Sequence, residues 1–303
     1  MRLKRCAQDA TLRWAAVASR FRAYKKYKHR QWHNNRTPDM EATQERPLVD
    51  VRLSHTSDFD ECRNTETGTV FIIASGSSTK DFPVDEFAHV PMITMNGAIS
   101  LFNGTNIKPY FYICTDMGFP KQQPELFSLA MNISQRVALW TEHVRRTGTR
   151  PAGKLFALKR APKKTWLDYF FRTNKNLVHK HSFLGHRSRS VGFSKNLSDG
   201  FFDARTVAYL ALQLAHHLGF SKVILVGFDL NPSMGRFYEN NGSVLSPCGL
   251  DEHYHTRILP SLKLMSRKVM GESFTVYNLS STSRVPESII PRIDLQALRS
   301  LLG

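Results

Sequence analysis

Small and polar residues follow three apolar segments in the first half of the sequence. They are Ser75-Gly76-Ser77-Ser78 after residues 70–74, Asn96 after residues 91–95, and Thr115-Asp116 after residues 109–114. Short residues allow backbone amides to approach a phosphate or a ribose, and hydroxyl and amide groups donate hydrogen bonds to such ligands. Because the carboxyl ends of parallel strands share one edge of a sheet, the repetition predicts a ligand crevice at that edge.

A helix followed by a buried strand is predicted for the segment 198–230. Apolar residues recur at three- and four-residue spacing from Val207 to Leu218, and we expect the helix over 201–218. Residues 222–226 are an apolar run without polar alternation, which is typical of a strand buried on both faces. Gly227 and Asp229 follow that strand and therefore join the predicted crevice.

Two histidines in a later segment are candidates for a general base. Residues 251–265 predict a helix that follows a polar loop, and His253 and His255 lie in its first part. An imidazole titrates near neutral pH, so one placed beside the crevice could accept a proton from a substrate. The alternative is that each is an ordinary surface histidine, and the sequence does not choose between the two residues.

The elements that would position these side chains alternate between strand and helix. A helix and a fourth strand, Ser134 to Trp140, are expected within 120–144, and a last strand at 274–278. This order predicts an α/β, Rossmann-like and mostly parallel sheet flanked by helices, in one domain over 67–303. The apolar runs are too short to span a bilayer, and the N-terminus lacks the apolar core of a signal peptide.

Positive charge is concentrated in two segments of a chain whose net charge is +17. Residues 1–37 hold 11 Lys and Arg against one acid, and residues 145–195 hold 14 against one acid. The rest of the chain is therefore slightly acidic. Such segments indicate a polyanionic partner, either nucleic acid, anionic lipid or a phosphorylated glycolipid. For 145–195 we weigh a lid or acceptor platform against a solvated loop.

The N-terminal 45 residues are interpreted as a basic amphipathic helix. Its apolar face is Leu3, Ala7, Ala10, Trp14, Val17, Phe21 and Tyr24. A helix of this kind lies on an anionic membrane surface, although a disordered basic leader or a helix packed on the domain would fit as well. Residues 46–66 are polar and predict a linker.

The four cysteines show no pairing and no metal-ligand spacing. They are Cys6, Cys62, Cys114 and Cys248. Isolated cysteines of this kind favour reduced thiols in a cytosolic protein and do not favour a zinc site. No paired carboxylates of the DxD type for a divalent ion are evident either, so we expect no metal.

The motifs taken in order resemble a known family. ASGSS, MNG and CTD follow the first three strands, and SDG, VGFD, RFYEN and EHY follow later. This set resembles the bacterial transferases that add a third Kdo residue to the lipopolysaccharide inner core, over roughly residues 67–290. More distantly, it is similar to the bacterial sialyltransferases that use CMP-sialic acid.

The resemblance implies a single-domain, sialyltransferase-like glycosyltransferase with a small lid and a CMP-Kdo donor. The catalytic candidates are His253 as general base and Tyr238 near the departing phosphate. The donor-binding candidates are Ser75, Gly76, Ser77, Ser78, Asn96, Thr115, Asp116, Asp199, Gly200, Gly227 and Asp229. The acceptor-binding candidates are Arg187, Arg189, Lys195 and Arg236. In this resemblance Gly200 opens the phosphate-facing helix, whereas the acid Asp199 would repel a phosphate and favours a sugar-hydroxyl or structural role.

The chemistry implied is a single displacement that inverts the anomeric centre. His253 would deprotonate the acceptor hydroxyl, while Tyr238, Ser78 and the amides of the 201–218 helix would stabilise the phosphate. The implied partners are a lipid A–Kdo core acceptor and the anionic inner membrane. The implied location is cytoplasmic, peripheral on the inner membrane face.

Several other functions are weighed against this one. A different nonulosonate or sialic acid transferase fits the same motifs, and a pterin diphosphokinase-like enzyme that uses ATP shares the strand-end pattern. A nucleic-acid-binding module is favoured only by the charge, because no RNP, KH or helix-turn-helix signature is present. A nicotinamide dehydrogenase is disfavoured because the first turn lacks GxGxxG.

Overall fold

The computed structural model describes residues 56–162, 174–180, 191–239 and 250–303. The predicted N-terminal helix at 1–45, the first part of the linker, and Arg187 and Arg189 lie outside these residues. Among the helices of the described ranges, none has the length and apolar content needed to cross a membrane.

Ten strands and seven α-helices are formed in the described ranges. The strands are β1 (Thr56–Ser57), β2 (Thr69–Ile73), β3 (Met92–Met95), β4 (Phe111–Cys114), β5 (Arg136–Leu139), β6 (Lys154–Ala157), β7 (Leu177–His179), β8 (Gly192–Ser194), β9 (Lys222–Val226) and β10 (Thr275–Asn278). The α-helices are α1 (Phe119–Gln122), α2 (Pro124–Ile133), α3 (Thr141–Thr147), α4 (Val207–Leu218), α5 (Leu250–His253), α6 (Leu259–Lys268) and α7 (Leu295–Leu302). A 3-10 helix, Asn96–Phe102, follows β3, and a π-helical turn, Tyr254–Ile258, joins α5 to α6.

Eight strands form one parallel sheet in the order β1-β6-β5-β4-β3-β2-β9-β10. The central strand β2 pairs with β3 on one side and with β9 on the other, where Thr69 is opposite Lys222. β7 and β8 form a separate antiparallel pair. The prediction of an α/β fold with a mostly parallel sheet flanked by helices is therefore confirmed.

Both faces of the sheet are buried, which explains the apolar strands. Val70 and Ile72 of β2 belong to the core that includes α4 and α6, whereas Phe71 and Ile73 belong to the opposite core. The second core contains α2, the 3-10 helix after β3, and Leu298 of α7. A strand covered on both faces buries every side chain, so its sequence shows no polar alternation.

Part of the predicted linker is instead packed on the domain. β1 pairs with β6, and the 3-10 helix Phe59–Cys62 is capped by the Asp58 side chain. Phe59 is buried, and its ring centroid lies 5.1 Å from that of Phe156. Phe59 and Cys62 are the two buried side chains in the described part of this polar segment, and they are enough to fix it to the core. Two isolated residues give no periodic pattern in the sequence.

The basic segment 145–195 is also not a simple insertion. β6 lies inside it and forms part of the main sheet between β1 and β5. β7 and β8 lie inside it too. The many Lys and Arg residues around β6 conceal a four-residue strand, of which only Phe156 is fully buried.

The prediction of a helix over 201–218 is wrong at its start. α4 begins at Val207, and Phe201 is instead extended and bridged to Arg160. The Phe201 carbonyl accepts from Ala161 N at 2.8 Å, and Phe201 N donates to the Lys159 carbonyl at 3.0 Å. Gly200 therefore does not open the helix. Its φ of +88° and its close packing on the Arg160–Ala161 backbone explain why a glycine is needed there.

Candidate active site

A cavity of about 680 Å³ lies along the carboxyl ends of the parallel strands. Its wall contains residues that follow six of the strands: Ser75 and Gly76, Asn96, Thr115, Trp140, Arg160, and Gly227 with Asp229. The first residues of α4 and His253 also line it. The crevice predicted from the strand ends is therefore present at the expected edge of the sheet.

The turn after β2 is held tightly against the turn after β9. Gly76 N donates to the Gly227 carbonyl at 3.0 Å, and a Cβ added at Gly76 would collide with that same carbonyl oxygen. Gly227 has a φ of +68°, and a Cβ there would collide with Thr79 Oγ1. Glycine is required at both positions because two backbone segments approach each other without side chains between them.

Asp229 is the acceptor for the serines of the first turn. Its side chain accepts from Ser77 Oγ at 3.2 Å, from Ser78 N at 3.0 Å and from Ser78 Oγ. Asp229 is buried and lines the cavity, whereas Ser77 and Ser78 do not line it. The two serines, predicted as donor-binding residues, thus face a carboxylate and position the turn.

Strained backbone conformations concentrate around the cavity. In the described ranges four non-glycine residues have a positive φ, and three of them, Asn96 (+43°), Arg205 (+67°) and Leu230 (+53°), line the cavity. Such conformations are unfavourable and tend to cluster at functional sites. The Oδ1 atom of Asn96 is buried, and no described residue donates to it, which leaves an acceptor for a ligand.

The loop at 235–239 packs over the turns after β2 and β3. Arg236 is bridged to Gly76, and Phe237 N donates to the Ser75 carbonyl at 3.2 Å. The ring of Tyr238 occupies the position that a Cβ of residue 97 would need, so Gly97 allows its close approach. This contact brings the Tyr238 hydroxyl next to the end of β3.

Arg236 and Tyr238 form one polar group at this end of the cavity. Arg236 Nη1 lies 3.0 Å from Glu239 Oε1 and 3.4 Å from the Tyr238 hydroxyl. Burial raises the pKa of Tyr238, so its hydroxyl remains a donor at neutral pH. Arg236, a predicted acceptor-binding residue, lines the cavity beside the predicted donor-binding turn.

His253 lies at the last position of α5 and lines the cavity. The backbone changes to a π-helical turn immediately after it, and such turns are frequent at functional sites. Tyr254 anchors this change, since its hydroxyl donates to the Arg284 carbonyl and Arg284 covers its ring at 4.4 Å. His255 is exposed and outside the cavity, so the geometry favours His253 over His255 as a proton acceptor.

A second group of charged residues lines the cavity near β5 and β6. Arg160 lies over the Trp140 ring at 5.3 Å, and its Nη2 is 3.5 Å from Asp203 Oδ2. Asp203 also accepts from Arg205 N at 2.8 Å. These residues were not among the candidates from the sequence. Trp140 could have been recognised, because it ends the fourth predicted strand. Arg160 could not, because it follows β6, a strand that the sequence did not predict.

Besides Ser77 and Ser78, five described candidate residues lie outside the cavity lining: Tyr238, Asp116, Lys195, Asp199 and Gly200. Asp116 is exposed and caps the next turn by accepting from Gly118 N at 2.8 Å. Asp199 accepts from Asn176 Nδ2 at 3.1 Å, and Lys195 N donates to the Asn176 carbonyl at 2.8 Å. Asp199, Lys195 and Gly200 together connect the β7–β8 pair to the domain. Asp199 thus has a structural contact with Asn176.

No cluster of three His, Cys, Asp or Glu side chains suitable for a metal ion occurs within the ranges that the structure describes. Cys62 and Cys114 are buried free thiols. Burial raises the pKa of Cys62 to about 11 and that of Cys114 to about 12. Both thiols therefore stay protonated and unreactive at neutral pH.

The fold and the cavity define an α/β domain with a cavity at the carboxyl edge of a parallel sheet. Residues 159–296 match the sequence model of the family described as 3-deoxy-D-manno-octulosonic acid transferase WaaZ. The matched segment contains Gly227, Asp229, Arg236 and His253, but begins after β2 and β3.

Two curated relatives carry the same description of activity. The chain is 27% identical over 249 residues to a probable 3-deoxy-manno-octulosonic acid transferase of Escherichia coli (strain K12), covering 77% of this chain and 85% of the relative. It is 25% identical over 248 residues to the probable transferase of the same kind from Salmonella typhimurium, covering 78% and 90%. These matches confirm the resemblance to the third-Kdo transferases and support a transferase of that family.

Solved structures of glycosyltransferases are among the similar folds. The match to the MAf glycosyltransferase of Magnetospirillum magneticum AMB-1 has a TM-score of 0.45 and 15% identity. It covers 78% of this chain and 35% of the MAf glycosyltransferase chain. The sialyltransferase CstII of Campylobacter jejuni, solved with CMP-3FNeuAc, has a TM-score of 0.39 and 13% identity, covering 73% of this chain and 84% of its own.

Proposed function

We propose that this protein transfers Kdo from CMP-Kdo to a hydroxyl of the lipopolysaccharide inner core. The observation that carries the proposal is the convergence of Asn96, Arg236 and His253 on one cavity, in a chain that matches the Kdo transferase family. These residues come from distant parts of the sequence. The parallel sheet brings them to one edge, where an α/β fold binds its ligands.

The donor would bind at the end of the cavity formed by β2, β3 and β9. Ser75 and Gly76 offer a wall of backbone in which no side chain blocks the nucleotide, and the buried Asn96 Oδ1 is an acceptor for a ligand donor. The phosphate would lie against Arg236, whose guanidinium is oriented by Glu239. A cation and a protonated tyrosine at this position stabilise the negative charge that develops on departing CMP.

The reaction would be a single displacement with His253 as general base. The acceptor oxygen forms a bond to the anomeric carbon while the bond from that carbon to the phosphate oxygen breaks. CMP leaves with the electron pair, and the hydroxyl proton passes to the imidazole of His253. Attack opposite to the leaving group inverts the anomeric centre.

No metal ion is assigned to this reaction. Arg236 would supply the positive charge that a divalent ion provides elsewhere, and the Tyr238 hydroxyl would donate a hydrogen bond to the phosphate. We therefore expect the rate of CMP release to be unchanged by EDTA. Loss of activity in EDTA that Mg²⁺ restores would contradict this expectation.

The acceptor would be reached from the cytoplasmic face of the inner membrane. The basic segment at 1–37 supports this location through its charge, because anionic lipids attract clustered Lys and Arg. Deletion of residues 1–37 tests the idea: binding to anionic vesicles at low salt should fall, with transfer to a water-soluble acceptor retained. Unchanged vesicle binding would rule out a membrane role for this segment.

The decisive experiment measures CMP release and Kdo addition with CMP-Kdo and a Kdo-containing lipid A acceptor. We expect His253→Gln to lower kcat by about 10²- to 10⁴-fold, the contribution of a general base. His255→Gln is the matched control, because this exposed histidine is two residues away and outside the cavity. CMP-sialic acid and ATP with Mg²⁺ serve as competing substrates, and turnover of either in place of CMP-Kdo would reject the proposed donor.

A further inference from the structure

Three arginines surround one carboxylate at the β5–β6 end of the cavity. Asp203 accepts from Arg160 Nη2 at 3.5 Å and from the backbone of Arg205 at 2.8 Å, and its own carbonyl accepts from Arg257 Nη2. Burial lowers the pKa of Arg257; the charge of Asp203 opposes this shift, and the nearby charges of Arg205 and Arg160 add to it. Of these residues Arg160, Arg205 and Asp203 line the cavity, so two cationic side chains and one carboxylate belong to this part of its wall.

Two of these arginines line the cavity, where contacts hold the side chain of Arg160 and the backbone of Arg205. Arg160 lines it while lying over Trp140, whose Nε1 donates to the Thr115 carbonyl at 3.0 Å. Arg205 lines it with a φ of +67°, a conformation held by the bond from its N–H to Asp203. The Arg160 side chain is 65% exposed, so it can reach an incoming molecule without a large loss of packing.

This group lies far from the predicted phosphate position. β6 is separated from β2 by four strand spacings in the sheet, or about 19 Å at the usual distance between strands. In CMP-Kdo the phosphate and the carboxylate are attached to the same carbon. If Arg236, which is bridged to Gly76, holds the phosphate, the donor carboxylate stays at that end of the cavity.

We infer that Arg160 and Arg205, organised by Asp203 and Trp140, form an acceptor subsite that binds the carboxylate of a sugar acid. The inference rests on the proposed function for the position of the donor. It assigns the β2–β9 end of the cavity to the acidic donor and the β5–β6 end to the acidic acceptor. An arginine matches a carboxylate through two parallel N–H donors, which also orients the sugar that carries it.

The test compares a methyl glycoside of Kdo with its uncharged methyl ester, as ligands of the full-length protein. We expect the wild type to bind the carboxylate about tenfold more tightly than the ester, as for one charge-assisted pair. In the double variant Arg160→Gln/Arg205→Gln the two ligands should bind equally, and the affinity for CMP should be unchanged. Lys159→Gln removes the same charge one residue away, outside the cavity lining, and should behave as wild type.

Each remaining outcome points to a different error. Equal binding of acid and ester by the wild type, or a preference that persists in Arg160→Gln/Arg205→Gln, would overturn the subsite. If Arg160→Gln weakens binding of CMP-Kdo but not of CMP, Arg160 contacts the donor, and the assignment to the acceptor is wrong. If the wild type binds the acid over the ester but neither binds CMP nor transfers Kdo, the proposed function fails and the carboxylate subsite stands.

Discussion

At the β2–β9 end of the cavity the wall consists of backbone and short side chains, whereas at the β5–β6 end it consists of long cationic side chains. Gly76 and Gly227 are in direct backbone contact, and Asp229 is buried and fully hydrogen-bonded. Arg160, by contrast, is 65% exposed and paired with Asp203 at 3.5 Å.

The difference separates two ways of recognising a ligand. A wall of packed backbone is rigid, and it can position a ligand that has the same chemical structure in every reaction, such as a nucleotide. Arg160 is held over Trp140 but is largely exposed, which suits a large ligand that presents its charge from solution. Substitutions at the first end should therefore affect folding, and those at the second end should affect binding alone.

Gly227→Ala should have the largest effect on stability. A Cβ at this position collides with Thr79 Oγ1, and the φ of +68° disfavours any side chain. We expect the free energy of unfolding to fall by about 3 kcal/mol through the combined cost of overpacking and backbone strain. Urea denaturation measures this change.

Gly235→Ala is the control for the backbone term. Gly235 also lines the cavity with a φ of +67°, but a Cβ there meets nothing within 4 Å. It should cost about 1 kcal/mol. Equal losses of unfolding free energy in the two variants would show that the close approach of Thr79 to Gly227 contributes nothing to the loss. The contrast between a rigid β2–β9 end and an exposed β5–β6 end would then be unsupported.

Asp229→Asn should have an intermediate effect. The variant removes the negative charge that accepts from Ser77 Oγ, Ser78 N and Ser78 Oγ, and an amide NH₂ then faces one of these donors. We expect a loss of about 2 kcal/mol in unfolding free energy, with a weaker affinity for CMP because the turn shifts. Ser77→Ala, which removes a single 3.2 Å bond, should cost less than half of this. A neutral Asp229→Asn would show that the carboxylate does not hold the turn.

Arg160→Gln should have the smallest effect on stability. Its ion pair with Asp203 is largely exposed, and pairs of this kind contribute about 0.5 kcal/mol or less. Thermal unfolding at low and at high salt should therefore give nearly the same midpoint as the wild type. A loss similar to that of Asp229→Asn would mean that the cationic end is also part of the rigid framework.

The sequence predicted the sheet edge well because that prediction needs only local information. A buried strand that ends in small polar residues, such as Val70–Ala74 before Ser75, has the same appearance in any parallel sheet. The positions of Asn96, Gly227 and His253 followed from such local patterns and from the resemblance. All three line the cavity.

What could not be predicted depends on pairing between distant segments. Phe201 is extended because the segment after β6 takes its hydrogen bonds, and no local pattern shows that partner. Ser78 faces Asp229, about 150 residues later, and a serine in a glycine-rich turn has the same local pattern whether it binds a ligand or a carboxylate. Arg160 remained unrecognised for the same reason, since β6 is a strand only through its neighbours.

The pairing of β2 with β9 also affects how the protein is made. Thr69 and Lys222 are opposite each other but about 150 residues apart, so β2 has no partner on that side until most of the chain has been synthesised. During that time the five residues TVFII form an exposed apolar edge. An edge of this kind recruits other chains, and long-range pairing is slow to form. The nascent chain is therefore most vulnerable to aggregation before Val226, the end of β9, has emerged from the ribosome. A chaperone bound to β2 during synthesis would protect it.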